Sequence, residues 1–464
     1  MQKCPLDQWA FFWGQGLLNH LKKLFGQQDT DSVKPLSASV ANTASLTKTA
    51  SNPSATTTSY LTREAVFDRQ NRLAGHIFKL HDATLLALGR DQAQQAFDRQ
   101  LLDTFNANPE ERQAGLAFIP INTGTLTSAT VDRLKPANLV LILQLANDAN
   151  ATELTPRINQ LRQRGIGIGL LRQPKHPAFT ELINLVNYGV IDVADHEANT
   201  IRDFAAAFRA KDKDDIYLFA CNIDTPDEHR LCYQWHFSYF HGKFAANHPV
   251  QNTETAADPH KMQLLHLMRL VQGEAETAEI VDALKQDPLL TFRILRYLNS
   301  PALGLIHKID ALSQALVILG RQRLNRWLAV LLFSVREPNV GDWLLVENAL
   351  TRGRLMELLG SQVIPDKAHD HLFLTGIFSC LDRLLHRPLA TLLDDMPLPG
   401  EIRDALLNGQ GPYADLLSVV KASEAYDLEK MEATANQAGV NPDMLNRALL
   451  AATAWASEVT EHWE

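Results

Sequence analysis

The chain has 464 residues, enough for two or three domains with buried cores. Lys and Arg total 44 against 53 Asp and Glu, a formal charge of −9. This balance argues against a dedicated nucleic-acid binder, which neutralises phosphates with basic side chains. The four cysteines lack CxxC spacing, so neither a zinc site nor a disulfide framework is predicted, and we expect a cytoplasmic protein.

Residues 1–28 form the first predicted segment, an amphipathic helix. Between residues 6 and 25, apolar side chains recur at helical spacing, beside Trp, Phe and two lysines, Lys22 and Lys23. The segment is too polar to span a bilayer, and no cleavage-site pattern follows it. Two interpretations stay open: peripheral docking on a membrane through residues 6–25, or docking on a protein surface, either this protein's own or a partner's.

Residues 29–59 differ sharply in composition. Ser, Thr and Ala make up 19 of these 31 residues, and no aromatic residue is present. Such a segment buries too little apolar surface to offset its ordering entropy. We therefore predict a disordered linker here.

Residues 60–250 alternate short apolar runs with amphipathic ones, which predicts an α/β domain with a mainly parallel sheet. The number of elements favours a closed barrel over an open sheet. Helices are predicted between several strands, among them one over 178–186. The predicted strands cover Leu73–Phe78, Leu116–Ile121, Leu139–Leu145, Ile166–Leu171, Val190–Val193, Ile216–Cys221 and Tyr233–Tyr239.

Residues 255–458 show only helical patterns, separated by short Pro- or Gly-containing breaks. These include predicted helices over 289–298, 321–333 and 372–385. Asn441 followed by Pro442 is a typical helix start. The second half is therefore predicted to be an all-α bundle.

A run in this helical half resembles the signature of the HDOD domain. It reads DPLLTFRILRYLNSP and ends at Asn299, Ser300 and Pro301. Further matches follow in the family's order, namely Leu319-Gly320, Trp327, the stretch from Phe373 to Ser379 with Gly376, and the stretch from Leu398 to Ile402. The resemblance covers roughly 180 residues and implies an HD-like helical fold.

Beside such a domain, the α/β half resembles a degenerate EAL domain. Active members of that family are TIM-like barrels that hydrolyse cyclic di-GMP with two divalent metals held by carboxylates. In this chain the family's acidic, Asn, Lys and Gln positions fall on residues that mostly cannot hold a cation: Ile77, Pro120, Ile142, Leu171, Arg172, Val190, Cys221 and His241. The resemblance therefore implies a barrel without the metals, without the hydrolysis and with no cofactor, and we do not expect it to bind cyclic di-GMP.

The HDOD family is in turn similar to HD metal phosphohydrolases, whose His-Asp pair would fall at Ser379 and Cys380. Neither residue replaces that pair, so no metal is expected here either. We expect a protein partner to bind the helical half, and Arg321, Arg323, Arg326 and Trp327 are the candidate surface because Arg and Trp are common interface anchors. The alternative for Trp327 is a place in the core.

These observations predict a non-enzymatic signalling scaffold that acts through protein–protein contacts. The link to cyclic di-GMP regulation, motility, pili, biofilm or stress control comes only from the resemblance. A receptor whose barrel binds the nucleotide without hydrolysing it is the alternative, and a residual phosphohydrolase is a third hypothesis.

Overall fold

The fold of residues 59–245 is a closed eight-stranded barrel. A computed structural model describes residues 59–81, 90–107, 115–135, 138–209, 216–245, 259–273, 275–286, 290, 312–333, 340–364, 369–394, 396–425 and 427–461. The strands are β1 Tyr60–Asp68, β2 Leu73–His81, β3 Leu116–Asn122, β4 Leu139–Gln144, β5 Gly167–Leu171, β6 Tyr188–Asp192, β7 Tyr217–Cys221 and β8 Tyr239–His241. Each strand pairs with the next and β8 pairs with β1, which confirms the barrel over the open sheet.

The strand β1 runs against the rest of the barrel. It pairs antiparallel with both β2 and β8, whereas β2 to β8 pair in parallel. Strand β1 is not among the strands predicted from the sequence. A two-stranded hairpin, β1–β2, thus forms one part of the wall, and its short turn leaves no helix of its own between the two strands.

In the described part of the chain, six helices follow the parallel strands: α1 Arg90–Ala107, α2 Ala129–Asp132, α3 Ala151–Gln163, α4 Phe179–Leu182, α5 Ala198–Arg209 and α6 Pro226–Gln234. The helix predicted over 178–186 therefore extends only from Phe179 to Leu182. The strand predicted over Tyr233–Tyr239 is wrong, because helix α6 Pro226–Gln234 occupies its start and β8 begins at Tyr239. Thr225 and Glu228 form a capping box with Pro226 in the first turn, and these local signals start the helix.

The second half is helical throughout its described residues, as predicted. Its helices are α7 Pro259–Gln272, α8 Thr277–Lys285, α9 Leu312–Leu319, α10 Arg321–Leu332, α11 Val340–Val363, α12 His369–Phe378, α13 Leu381–Leu385, α14 Leu389–Leu393, α15 Gly400–Arg403, α16 Pro412–Ala425, α17 Leu428–Ala438 and α18 Pro442–Glu461. Asp404–Asn408 forms a π-helical turn between α15 and α16. The helix predicted over 372–385 is two helices, which separate at Ser379 and Cys380.

Helix α11 is the axis of this half, and it packs against α12 and α18. A Cβ atom added to Gly376 of α12 would lie 2.6 Å from the Cα atom of Gly353 in α11. Only glycine allows this close approach of the two helices. This packing is the structural reason for the glycine of the signature at position 376.

Helices of the second half cover the outer face of the β1–β2 hairpin. Helices α16 and α18 contact β1. The Asn446 side chain of α18 accepts a hydrogen bond from the Leu61 backbone N–H at 2.8 Å and donates one to the Ser59 carbonyl at 3.0 Å. The hairpin therefore obtains its outer helical layer from the second half of the chain.

Some predictions fall outside the described residues. These are the amphipathic helix of residues 1–28, the linker up to residue 58, the helix over 289–298 apart from residue 290, and the signature residues Asn299, Ser300 and Pro301. Among the helices that the structure does describe, none combines the length and apolar character needed to cross a bilayer.

Candidate functional site

The interior of the barrel is filled with apolar and aromatic side chains. Inward-facing residues of successive strands form one buried cluster, which consists of Val66, Ile77, Phe118, Val140, Ile142, Tyr188, Val190, Phe219 and Cys221, with Leu171 packed against it. Four of the positions that the resemblance assigned to cation-binding or catalytic residues belong to this buried cluster, namely Ile77, Ile142, Val190 and Cys221. These side chains offer a cation no oxygen ligand.

We call this cluster the apolar plug. Polar groups lie beside it at the carboxyl end of the parallel strands, which we call the barrel mouth. The Glu64 side chain of β1 faces the barrel interior, because Glu64 pairs in register with the inward-facing Ile77 of β2. Its carboxylate accepts a hydrogen bond from the Lys79 Nζ at 2.9 Å through Oε1, and its Oε2 lies 2.5 Å from the His241 Nε2. The side chains of Glu64, Lys79 and His241 thus form one closed network, the mouth network.

The backbone after β7 orients the ring of His241 and selects its tautomer. The Asn222 backbone N–H lies 3.3 Å from the His241 Nδ1 and can only donate to it, so Nε2 carries the proton and donates to Glu64. Asn222 has a left-handed φ of 55°, and its side chain donates to Asp192 at 2.6 Å. A Cβ on Gly242 would lie 2.3 Å from the Ile223 backbone, so glycine permits this approach.

Electrostatics keep Glu64 ionised. Partial burial would raise the pKa of its carboxyl group, but the hydrogen bond from His241 and the charge of Lys79 outweigh it and lower the pKa to about 2. Cys221, the last residue of β7, is buried, and burial first and the Asp192 charge second raise the pKa of its thiol. The thiol is therefore neutral at pH 7 and is not a candidate nucleophile.

The other predicted positions lie around this mouth. Pro120 pairs in register with Ile142 and is half-buried. Arg172 follows β5 and donates its backbone N–H to the Val190 carbonyl at 2.8 Å. Among the described residues, no group of three or more His, Cys, Asp or Glu side chains is placed to hold a metal ion.

Sequence reasoning missed the centre of this site. It placed His241 at a family position but did not identify Glu64 or Lys79, because β1 was not predicted and the residue pairs are 15 and 177 positions apart. The alternation of Glu64 with Val66 and Asp68 in the run YLTREAVFD was the available signal.

In the helical half, a guanidinium occupies the place considered for a His-Asp pair. Arg352 of α11 donates from Nη1 to the Ser379 Oγ at 2.6 Å, and from Nε and Nη2 to Glu424 of α16 at 3.0 and 2.6 Å. Arg352 is 6% exposed and the adjacent Cys380 is fully buried. The positively charged guanidinium of Arg352 thus occupies the place considered for the His-Asp pair.

The expected Arg/Trp-rich surface is only partly at the surface. Trp327 is 4% exposed and Arg326 is 3% exposed, so the core interpretation of Trp327 is correct and neither residue is a surface anchor. Arg326 forms a bidentate pair with Glu357, with N–O distances of 2.7 and 2.8 Å, and lies over the Phe373 ring. The reason is helical periodicity, because α10 turns residues 326 and 327 inward while Arg321 and Arg323 stay exposed.

Gly320 begins α10 with a φ of 75°, a left-handed conformation that favours glycine. Arg321 follows it and donates to the Val271 and Ala275 carbonyls at 3.4 and 2.5 Å. The signature glycine therefore permits the backbone turn between α9, which ends at Leu319, and α10.

Comparison with known proteins agrees with this arrangement. Residues 259–390 match the model of the HDOD domain family. The chain contains an HDOD domain. It is 21% identical over 388 residues to Uncharacterized protein YuxH of Bacillus subtilis, covering 82% of this chain and 93% of that protein. It is 22% identical over 327 residues to Cyclic di-GMP phosphodiesterase CdgJ of Vibrio cholerae, covering 70% of this chain and 74% of that protein.

Both alignments are longer than the chain from residue 259 to its last residue, so they include the barrel as well as the HDOD domain. A closed barrel followed by an HDOD domain is the order of domains expected from the sequence. Solved structures similar to the chain include the Bacillus subtilis YkuI protein with an EAL domain, in complex with cyclic di-GMP and calcium (TM-score 0.33, 13% identity, 51% of this chain and 74% of that one). An EAL domain protein from Listeria monocytogenes is another (TM-score 0.32, 10% identity, 40% and 87%). The strand order, rather than these likenesses, establishes the barrel.

Proposed function

We propose that this protein is a non-enzymatic signalling scaffold in cyclic di-GMP-related regulation, with its HDOD domain binding a protein partner. The observation that carries the proposal is the apolar plug: Ile77, Ile142 and Val190 stand where the EAL resemblance requires polar, cation-binding or catalytic groups. A divalent cation needs several oxygen ligands, and apolar side chains cannot replace them.

The mouth network supports the same proposal electrostatically. The Lys79 ammonium lies 2.9 Å from Glu64, so it neutralises this carboxylate and repels a second cation. His241 uses both ring nitrogens within the protein. The polar groups at the mouth therefore stabilise one another rather than presenting an open set of ligands.

The test of this proposal is a hydrolysis assay with the full chain. Cyclic di-GMP is incubated with the protein and Mg²⁺ or Mn²⁺, with an active phosphodiesterase as the positive control, and the linear product is separated by chromatography. We expect no product above the buffer level. Metal-dependent product that disappears in Glu64→Gln would show that the chain is an enzyme and would overturn the proposal.

Titration calorimetry of the full chain with cyclic di-GMP separates the scaffold from the receptor alternative. We expect no saturable heat at two temperatures and no thermal shift. Saturable binding without hydrolysis would replace the scaffold by a receptor whose barrel mouth holds the nucleotide.

The partner surface of the HDOD domain is proposed to include the exposed end of α9. Val317 is 78% exposed and Ile318 is 38% exposed, and the exposed Arg321 and Arg323 follow on α10. Apolar side chains beside arginines are typical of interface centres. Affinity capture with the full chain should recover a protein that Val317→Asp loses, whereas Leu231→Asp, on the barrel's exposed α6, should retain it.

A further inference from the structure

In the described part of the chain, the β1–β2 hairpin separates two polar networks, one on each of its faces. Its inner face carries Glu64 and Lys79 of the mouth network, and its outer face carries Arg63 and His76. Successive residues of a strand point to opposite faces of the sheet. Arg63 and Glu64 are therefore adjacent in the sequence, but their side chains lie on opposite faces of the hairpin.

The outer network joins the barrel to the HDOD domain. Glu347 of α11 is 1% exposed. Its Oε1 atom accepts a hydrogen bond from the Arg63 guanidinium, lies 3.3 Å from the His76 Nε2, and accepts a hydrogen bond from the Thr351 Oγ1 at 3.0 Å. The Arg63 Nη1 also lies 3.1 Å from the His76 Nε2. We call Arg63, His76, Glu347 and Thr351 the seam network.

Because the seam network is buried, its stability depends strongly on the positions of its side chains. Arg63 is 9% exposed and His76 is 2% exposed, so water cannot replace a hydrogen bond that the hairpin stretches or breaks. A buried charge that loses its partner costs several times more than an exposed one. Small displacements of the hairpin therefore have a large energetic effect at Glu347.

We propose that the β1–β2 hairpin couples the barrel mouth to the HDOD domain, because any change that moves Glu64 or Lys79 also moves Arg63 and His76 against Glu347. A ligand or protein that engages the mouth network thereby changes the stability of the seam network and of α11. Coupling of this kind is reciprocal, so a change at Glu347 alters the mouth to the same extent. This inference does not depend on whether the barrel is catalytic.

The test is hydrogen exchange by mass spectrometry on the full chain, with Glu64→Gln as the inner change. Glutamine keeps the size of the side chain and removes its charge. Exchange should rise in the hairpin peptides, and also in peptides covering residues 343–351 of α11, by about fivefold, the size expected when one hydrogen bond to a charged group is weakened. The reciprocal variant Glu347→Gln should raise exchange in residues 239–245, which include His241.

Asp192→Asn is the matched control. Asp192 lies at the same mouth on β6 and bonds Asn222, but it is not on the hairpin. It should leave residues 343–351 unchanged. An increase confined to the barrel in Glu64→Gln, or an equal increase of residues 343–351 in Asp192→Asn, would overturn the proposal. If Glu64→Gln does not fold, Lys79→Met tests the same coupling from the more exposed partner.

Discussion

Arg352 and Glu424 form a bidentate ion pair between α11 and α16, with N–O distances of 3.0 and 2.6 Å. The same guanidinium donates to Ser379 at the break between α12 and α13. Burial would lower the pKa of Arg352, but the charge and hydrogen bonds of Glu424 outweigh it and raise it. One internal cation thus joins three segments of the HDOD domain.

Arg352→Met should lower the free energy of unfolding by about 3 kcal/mol, because it leaves the largely buried carboxylate of Glu424 without its partner. The control is Arg354→Met on the same helix. Arg354 is more exposed and its partner Glu357 keeps Arg326, so the loss should be below about 1 kcal/mol. Urea unfolding followed by circular dichroism measures both variants, and equal losses would contradict the role assigned to Arg352.

Ile77→Glu should destabilise the barrel instead of creating a metal site. The new carboxylate would lie inside the apolar plug and opposite Glu64, with which Ile77 pairs in register. At pH 7 we expect a loss of about 4 kcal/mol and no gain in thermal stability from added Mn²⁺.

The pH dependence of this variant identifies the cause of the loss. Burial and the Glu64 charge should raise the pKa of the new carboxyl group above its unfolded value. The part of the stability loss that is due to the charge should then be small below pH 4, and it should grow as the pH rises through the folded-state pKa. Ile77→Gln is the uncharged control and should show a loss that does not change over this range. Mn²⁺-dependent stabilisation of Ile77→Glu would contradict the prediction.

Acid should weaken the seam between the barrel and the HDOD domain. Burial would raise the pKa of Glu347, but the Arg63 charge and the His76 hydrogen bond outweigh it and lower the pKa to about 2. A carboxyl group with a lowered folded-state pKa contributes stability above its unfolded value near 4.5, and this contribution is lost as the pH falls towards 2. Glu64 adds a similar loss over the same range.

His76 should add a loss of folding stability at milder pH. Burial first, and the Arg63 charge as well, lower its pKa below the ordinary value of 6.5 although Glu347 opposes them. The unfolded chain therefore binds the proton more readily, and stability falls as the pH drops below about 6.5. Urea midpoints at pH 7.5, 5.5 and 3.5 should decrease in that order, and Glu347→Gln should flatten the change between the last two. An unchanged slope in Glu347→Gln would contradict this assignment.

The sequence by itself determined the two-part architecture. Strand-length apolar runs alternating with helical ones specify the barrel, and the run of helical patterns specifies the HDOD bundle, because these periodicities reflect which face of each element is buried. Local capping and turn residues explain where several helices begin. The same signals failed for Tyr233–Tyr239, where the capping box at Thr225 and Glu228 was overlooked.

The tertiary structure alone decided which charged residues meet. Glu64 and His241 are 177 positions apart, Arg63 and Glu347 are 284 apart, and Arg352 and Glu424 are 72 apart. No local pattern encodes such a pair, since each partner has the sequence context of an ordinary charged residue. Only closure of the barrel and packing of α11 bring the two partners together and bury them. Trp327 shows the same limit in reverse, because only the packing of α10 determines that this aromatic ring lies in the core.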